Sequence, residues 1–419
     1  MRMSEEDKKK KFDKQRKTLL KTKEKRKSQR PLVFELKIDT SHLNKEEQIK
    51  LKMFFVEAKW IYNHVLAMEN AFEYDSKSPL VKVLNKDREI EERKLKYLPA
   101  KNRQDVHNTL KWNIKGLHST KKIGKKVGKL KFKSEYTAIE LSQYGVTHKI
   151  TGRNRIKING IKRYLIVRGL QQIKSQYELA NGKLIKKPSG YYIKLTCYIN
   201  ITSDHIPRIK NPSTGLDFGI KTTITTSVGE KYNISIGKSE RLRRIQRKLH
   251  RRRKSSKNRY KMQMLLRREY EYLNNCRKDK ANKIVSKLLR ENQLVIMQDE
   301  NIKGWHKGLF GKEVQYSALG TIKSKLQKSK QVLIIDKYVP TTKRCYTCGN
   351  MVEIGLSERV YHCDKCGLTE DRDIKTAKTV LYEGLSSVNY IPIPTEHREI
   401  TPVETKPLLQ TSGCGASIV

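Results

Sequence analysis

Three carboxylates, those of Asp217, Glu300 and Asp373, stand in or beside segments that are otherwise apolar. Because successive side chains of a strand point to opposite faces, the segment 215–221 predicts that Asp217 faces away from its apolar neighbours. Gly219 lies on the same face and predicts room for a metal ion and a phosphate group to approach. An aspartate inside a strand is unfavourable, so a functional role competes with the simpler alternative of an aspartate at a strand edge.

The other two carboxylates also adjoin apolar patterns. Residues 294–297 are continuously apolar, which predicts a strand buried on both faces, and this strand ends in Gln298, Asp299 and Glu300. Asp373 opens a helical pattern and shares its docking face with the apolar or small residues that follow at helical spacing. The helix dipole favours a negative charge there, although first-turn aspartates are also common without any function.

Together, the three carboxylates offer what phosphodiester hydrolysis requires. Carboxylate oxygens are hard ligands, which Mg²⁺ prefers. Two such ions held about 3.5–4 Å apart would activate a water molecule and stabilise the leaving oxygen. The sequence therefore predicts a site for two magnesium ions at Asp217, Glu300 and Asp373.

The cysteines indicate a second metal site. Four of the seven cysteines form two Cys-x-x-Cys pairs, each followed by a glycine that suits a tight turn around a metal. Four thiolates complete a tetrahedral shell, so this pattern predicts one structural zinc ion and leaves no open position for catalysis. The predicted zinc ligands are Cys345, Cys348, Cys363 and Cys366.

The charge of the chain indicates a polyanionic partner. The 419 residues have a formal net charge of +48, which destabilises the compact state because like charges repel. Nucleic acid is the favoured partner, and a membrane surface is the weaker alternative. We find no apolar run long enough to span a bilayer and no apolar core of a signal peptide near the N-terminus, so we expect a cytoplasmic, nucleoid-associated protein of a prokaryote.

The segment 238–261 is the most basic part of the chain, with thirteen Lys or Arg residues and one Glu. A solvated helix face is the simpler explanation of a charge run. Here the run has too few acidic partners, which favours contact with phosphates. The predicted nucleic-acid-binding residues are Arg244, Arg247, Lys248, Arg251, Arg252, Arg253, Lys254, Lys257 and Arg259.

The order of β-type and helical patterns predicts an α+β protein of several domains. A small β-barrel is interrupted early by a helical insert, and an α/β domain with an inserted zinc ribbon follows. The expected segments are a basic extension (1–30), the barrel (31–41 and 130–210), the insert (42–129), the α/β domain (211–340 and 367–383), the ribbon (341–366) and a disordered tail (384–419).

The order of five motifs resembles one known family. They are GLDFGIK, SKNRYK from Ser256 to Lys261, QDENIKGW, CYTCG with CDKCG, and DRDIKTA. In this order they resemble TnpB (OrfB), the transposon-encoded RNA-guided nucleases related to miniature type V CRISPR effectors. The match is specific for residues 215–383, and the tail 401–404 also resembles the C-terminus of many TnpB-like proteins.

The resemblance implies a wedge-type β-barrel with a helical insert, followed by a RuvC-like domain of the RNase H fold. It implies a guide RNA and a target DNA as partners, with base pairing reading the target sequence. Asp217 matches the first catalytic residue of the family and Asp373 the last, which makes Asp371 a bystander. The oligomeric state, monomer or dimer, stays open.

The middle carboxylate has two possible registers. In one register Gln298 takes the catalytic position, which implies an inactive site. In the other Glu300 takes it, and we favour this register because glutamine cannot replace a metal-binding carboxylate. A further departure from the family is Lys375-Thr376, where many members have Asn-Ala.

These observations leave three functional hypotheses. The first is an RNA-guided endonuclease that cuts DNA by two-metal hydrolysis. The second is an RNA-guided DNA-binding protein with an inactive nuclease site, and the third is a classical transposase that acts through the same carboxylates.

Overall fold

The computed structural model describes residues 5–85, 87, 89–200, 210–237, 239–355 and 357–388. The chain divides into two compact units between His205 and Ile206. The tail from residue 389, with the family-like segment 401–404, lies outside the described residues. None of the described helices is both long and apolar enough to cross a lipid bilayer.

The first unit is built on a seven-stranded antiparallel sheet with the strand order β4-β8-β9-β1-β7-β6-β5. In chain order, its elements are α1 (Glu5–Lys27), β1 (Gln29–Asp39), α2 (Lys45–Ala67), β2 (Leu80–Leu84), β3 (Ile90–Lys94), α3 (Ala100–Lys122), β4 (Ala138–Leu141), β5 (His148–Gly152), β6 (Arg155–Ile158), β7 (Leu165–Val167), β8 (Glu178–Lys187) and β9 (Gly190–Asn200), with a 3-10 turn at Leu170–Gln172.

This sheet does not close into the predicted barrel. The edge strands β4 and β5 do not pair with each other in the described residues. Strand β4 lies instead against helices α2 and α3, and a helix that covers a sheet edge removes the need for a further strand. The expectation of a barrel is therefore corrected to an open sheet.

The insert contains the predicted helical pattern and an element that was not predicted. Asn44 caps α2 by accepting a hydrogen bond from the N–H of Glu47 at 2.8 Å, as the sequence indicates. Between α2 and α3, however, strands β2 and β3 form an antiparallel hairpin. The buried Glu57 fixes the chain after this hairpin, because its carboxylate accepts hydrogen bonds from three successive main-chain N–H groups, 96–98.

The N-terminal extension is more ordered than a disordered tail would be. Residues from Glu5 form helix α1, and β1 begins at Gln29, two residues before the predicted boundary. Arg26 pairs with Glu178 of β8 at 2.9 Å, which ties the end of the helix to the sheet. The extension is thus continuous with the first unit of the protein.

The second unit contains a mixed sheet with the strand order β12-β11-β10-β13-β14. Its elements are β10 (Asn211–Phe218), β11 (Ile224–Thr226), β12 (Lys231–Tyr232), α4 (Glu240–His250), α5 (Lys257–Glu291), β13 (Asn292–Gln298), α6 (Ile302–Lys307), α7 (Gly311–Ser317), α8 (Leu319–Leu326), β14 (Val332–Ile335), β15 (Val360–His362), β16 (Thr369–Asp371) and α9 (Arg372–Val388).

Strands β10, β11 and β12 form an antiparallel meander, and β13 and β14 extend it as parallel strands. Helices α5 and α8 contribute to the core on one face, where Leu216 and Met297 are buried. Helix α9 covers the other face, where Ile296 packs with Val380. Strand β13 is therefore covered on both sides, as its apolar run predicts.

Two predicted boundaries in this unit change. The ribbon hairpin pairs β15 with β16, so its second strand extends to Asp371, beyond the predicted end of the ribbon at residue 366. Helix α9 continues to Val388, so the first residues of the predicted disordered tail, 384–388, are helical. Gly384 belongs to the packed face, where an added Cβ atom would lie 2.4 Å from the side chain of Ile296.

Candidate metal centres and basic helices

Asp217 lies near the carboxyl end of β10, the central strand of the sheet, which pairs with β11 and β13. Its neighbours Leu216 and Phe218 are buried in the core on the opposite face, so Asp217 faces α9, as alternation predicts. Its carboxylate accepts no hydrogen bond from any described residue. Burial raises the pKa of Asp217 well above its usual value, and the charges of Asp373 and Glu300 raise it further. The structure thus brings Asp217 close to both other predicted carboxylates.

The glycines around Asp217 act differently from the expectation. A Cβ atom on Gly219 would lie 2.6 Å from the carbonyl oxygen of Thr222, so the absence of a side chain serves the turn after β10. Gly215 has the closer neighbour, because a Cβ atom there would lie 2.1 Å from the carbonyl oxygen of Ala377. The close approach on this face is that of helix α9 to strand β10.

Glu300 and Gln298 have different surroundings. The Gln298 amide is buried: its Nε2 donates to the carbonyl oxygens of Asp336 at 3.1 Å and Val339 at 2.7 Å, and its Oε1 accepts from the Thr341 hydroxyl at 2.9 Å. The Glu300 carboxylate, in contrast, accepts no hydrogen bond from a described residue. Burial raises the pKa of Glu300, while the charge of Lys323 opposes this shift.

Lys323 holds the turn that presents Glu300. Its ammonium donates to the side chain of Asp299 at 2.6 Å and to the main-chain carbonyl of Glu300 at 2.5 Å. No pattern in the sequence indicated this lysine, because it comes from the separate helix α8.

Asp373 lies in the first turn of α9, and Asp371 caps that helix. The Asp371 carboxylate accepts hydrogen bonds from the N–H groups of Asp373 at 3.0 Å and Ile374 at 3.1 Å, and it pairs with Lys231 at 2.7 Å. Asp371 therefore has a structural role as the cap of α9, which the sequence analysis did not assign to it. The pattern of an aspartate just before a helix was the available signal. The Asp373 carboxylate lies 3.9 Å from the guanidinium of Arg359 in the ribbon.

The three carboxylates are gathered more loosely than the four thiols. Within the described residues, only the cysteines form a group of at least three candidate ligands whose atoms all lie within 4.8 Å of one another. The sulfur atoms of Cys345 and Cys366 are 3.7 Å apart, and those of Cys348 and Cys363 are 3.6 Å apart. The cysteine cluster is therefore compatible with a structural zinc ion, and its donor set fits one.

Local chain geometry forms the cysteine cluster. Gly349 and Gly367 have φ angles of 73° and 71°, the left-handed conformation that the turn after each Cys pair requires. The N–H of Cys366 donates to the sulfur of Cys363 and is the main cause that lowers the pKa of this thiol to about 6. Main-chain donors around the sulfur atoms thus favour the thiolate form that a metal binds.

The basic segment forms two helices, α4 and α5, with the short connection 251–256 between them. Leu242 and Ile245 of α4 are buried, and Leu249 is half-buried. Eight of the nine predicted basic residues are exposed (Arg244, Arg247, Lys248, Arg251, Arg252, Arg253, Lys254 and Lys257). Arg259 differs, because its guanidinium donates to the carbonyl oxygens of Leu249 and Arg252 and thereby holds the end of α4.

Comparisons with known proteins place the similarity in the second unit. The family model OrfB_IS605, described as a probable transposase, matches residues 199–307. The model of the Cas12f1-like TNB domain matches residues 318–380 and so includes all four cysteines of the cluster.

Two relatives match about half of this chain. A putative RNA-guided DNA endonuclease of Streptomyces pristinaespiralis is 30% identical over 209 residues, which is 47% of this chain and 50% of that protein. The putative RNA-guided DNA endonuclease InsQ of Escherichia coli K12 is 26% identical over 216 residues, 45% of this chain and 54% of that protein. The chain thus spans about half the length of these curated relatives.

Two further similarities are more limited. The TnpB-like protein L79 of Acanthamoeba polyphaga mimivirus is 40% identical over 55 residues, 13% of this chain and 10% of that protein. A Cas12f1 structure, solved by cryo-EM with sgRNA and target DNA, is 15% identical with a TM-score of 0.46, and the match covers 80% of this chain and 83% of that one. The family models and the relatives confirm the resemblance to TnpB (OrfB) that the motifs predict.

Proposed function

We propose that this protein is an RNA-guided DNA endonuclease that cleaves its target by metal-dependent phosphodiester hydrolysis. The proposal rests on three carboxylates that come from separate elements of one unit, of which Asp373 and Glu300 act electrostatically on the buried Asp217. Two relatives that match about half of the chain are named as putative RNA-guided DNA endonucleases, which supports the same activity here.

The second unit is proposed to be a RuvC-like domain of the RNase H fold. Its sheet combines an antiparallel meander with two parallel strands. Asp217 and Glu300 lie at the carboxyl ends of neighbouring parallel strands, where open α/β sheets usually place ligands. Asp373 reaches the same edge from the N-terminal turn of α9.

The three carboxylates are proposed to hold two Mg²⁺ ions. Their fit rests on chemistry: Asp217 and Glu300 accept no hydrogen bonds from described residues, and the like charges around Asp217 favour a cation between them. When bound, magnesium would activate the attacking water and neutralise charge on the leaving oxygen. The chain's own part is to fix these oxygens, through Lys323 at the Glu300 turn and through the Asp371 cap at Asp373.

Glu300 is the proposed middle ligand, because the Gln298 amide is fully engaged in buried hydrogen bonds. The alternative, guided binding without cleavage, requires Gln298 in the catalytic position. A glutamine that holds residues 336–341 does not replace a metal-binding carboxylate. The cysteine cluster is proposed to hold one structural zinc ion.

Guide RNA and target DNA are the proposed partners. The eight exposed basic residues of α4, α5 and their connection supply positive charge, and the segment has far fewer acidic residues than basic ones. Positive side chains of this kind contact phosphates and make binding depend on salt. Arg259 is left out of this proposed surface, since it holds the end of α4.

The decisive experiment compares Asp217→Ala with the wild type after co-purifying RNA has been sequenced. We expect magnesium-dependent cleavage of DNA matching that RNA by the wild type, and a loss of at least about a thousandfold in the variant with guided binding retained. Asp279→Ala, on the exposed surface of α5, is the matched control and should cleave normally.

Persistent cleavage by Asp217→Ala would refute the assignment of this site. Guided binding by the wild type without cleavage in Mg²⁺ would support the binding-only alternative. Strand transfer of transposon ends without any RNA would instead support a classical transposase.

A further inference from the structure

Lys375 is a lysine with no exposed surface, on helix α9 two residues after Asp373. Lysine is almost never fully buried unless an opposite charge compensates its ammonium group. The buried charge of Lys375 therefore needs an explanation in its surroundings.

The contacts of Lys375 all lead into the ribbon. Its Nζ donates to the main-chain carbonyl oxygens of Thr341 at 3.1 Å and Thr342 at 2.6 Å, just before the first cysteine pair. The same nitrogen lies 3.9 Å from the centre of the Tyr361 ring, and Tyr361 is itself fully buried between the two cysteine pairs. Within the described residues, Lys375 forms no ion pair with a carboxylate.

The cysteine cluster is a source of negative charge beside Lys375, because the Tyr361 ring under its ammonium group packs with Cys345 and Cys363 in one buried cluster. Cys345 and Cys363, both buried, act electrostatically on Lys375. Four thiolates outweigh the charge of one Zn²⁺, so a zinc centre of this type is an anion. Two carbonyl dipoles and an aromatic face solvate an ammonium group only in part, and a neighbouring anion supplies the rest.

A second link connects this lysine to the strand that precedes Glu300. Thr341, whose carbonyl accepts from Lys375, donates its hydroxyl hydrogen to Gln298 at 2.9 Å. Lys375, Thr341 and Gln298 thus form one buried path from the cysteine cluster to the end of β13. Asp373 lies two residues from one end of this path, and Glu300 two residues from the other.

We propose that Lys375 is a positioning residue whose buried ammonium is the counter-charge of the zinc-loaded cysteine cluster, and that it couples zinc binding to the placement of Asp373. The second half rests on the proposed function, because it treats Asp373 as a magnesium ligand. The first half does not, since it concerns only zinc and the charge beside it.

The test uses the full-length chain with Zn²⁺ alone as the ligand. Lys375→Met keeps the length of the side chain and removes its charge and donors, and Lys375→Gln removes the charge but keeps a donor. We expect both to weaken zinc binding by about 10–100-fold in chelator competition, the usual effect of removing an outer-shell partner. Lys365→Met, an exposed lysine between Cys363 and Cys366, is the control and should change the affinity less than twofold.

A double-mutant cycle distinguishes the loss of the charge interaction from a general loss of packing around the shortened or uncharged side chain. In the zinc-free Cys345→Ser background, the lysine lacks its counter-charge, so Lys375→Met should lower the melting temperature much less than in the zinc-loaded wild type. Equal losses in both backgrounds, or an unchanged zinc affinity of both Lys375 variants, would overturn the proposal.

The proposed coupling between zinc binding and the placement of Asp373 is tested by a separate measurement. We expect Lys375→Gln, saturated with zinc, to show a smaller rise in melting temperature on addition of Mg²⁺ than the wild type. If Mg²⁺ raises the melting temperature of Lys375→Gln as much as that of the wild type, the coupling to Asp373 is refuted. The proposal that Lys375 is the counter-charge of the cysteine cluster would be unaffected. If the wild type itself shows neither a magnesium response nor cleavage, the proposed function fails, while the zinc measurements still decide the role of Lys375.

Discussion

The cysteine cluster and the carboxylate site are two candidate metal centres of one unit, and they are assembled in opposite ways. The four sulfur ligands come from two short pairs, and each pair needs only the local turn at Gly349 or Gly367. The carboxylates come from β10, from the segment after β13 and from α9, so only the packing of the whole unit gathers them. A local motif therefore fixes the first centre, and topology fixes the second.

The two centres also differ in how they exist without a metal ion. Thiols can stay neutral or share hydrogen bonds at 3.6–3.7 Å. The carboxylates repel one another, and the pKa of Asp217 is raised as a result of burial and of its charged neighbours. Loss of a ligand should therefore lower the stability of the zinc-loaded cysteine cluster, whereas loss of a carboxylate should raise the stability of the metal-free carboxylate site.

The largest effect is expected from Cys345→Ser. This change should abolish stoichiometric zinc binding and lower the free energy of unfolding of the second unit by about 4 kcal/mol or more, because zinc binding by such sites contributes about 10–16 kcal/mol in isolated peptides. Metal analysis and thermal unfolding measure both. Cys276→Ser, outside the cluster, should leave the zinc content unchanged.

A smaller effect of opposite sign is expected from Asp217→Asn in metal-free protein. The folded-state pKa of Asp217 is raised above 3.8, so the folded protein binds more protons and its stability falls as pH rises from about 4 through that raised pKa. The variant lacks this loss and should be more stable at pH 7, by about 1.4 kcal/mol for each unit of the shift.

Thermal unfolding with a chelator between pH 4 and pH 8 measures this effect, and the advantage of Asp217→Asn should vanish at the acidic end. Added Mg²⁺ should then reverse the order, because it stabilises the wild type by about 2.7 kcal/mol at a hundred times its dissociation constant. A variant that is less stable than the wild type at every pH would contradict the electrostatic comparison.

The smallest effect is expected from Asp371→Ala, which tests whether the helix cap matters for the geometry of the carboxylate site. Loss of the cap should cost about 1 kcal/mol of unfolding free energy, and cleavage should fall further than this modest loss of stability explains. Asp371→Asn keeps a capping oxygen and loses the charge that pairs with Lys231. Comparable cleavage by the alanine variant and the wild type would show that the cap does not position Asp373.

The sequence predicted the features that depend on near neighbours. Cysteine spacing indicated the zinc ligands, and alternation along residues 215–221 oriented Asp217 correctly. What it missed depends on contacts between distant segments: Lys323 reaches the Glu300 turn from another helix, and the role of Lys375 exists only where the ribbon covers α9. The open edge of the first sheet has the same origin, because helices occupy the place of a closing strand.

The close approach at Gly215 has a consequence for how this protein can change over time. At Gly215, helix α9 approaches β10 so closely that the oxygen of Ala377 and the nitrogen and Cβ atom of Leu381 lie where a Cβ of residue 215 would be. Main-chain atoms therefore set much of the gap between the elements that carry Asp217 and Asp373. Substitutions elsewhere can change the surfaces of the protein and the partners that they bind. The distance between the backbones that carry Asp217 and Asp373 is expected to stay the same, because main-chain contact limits it.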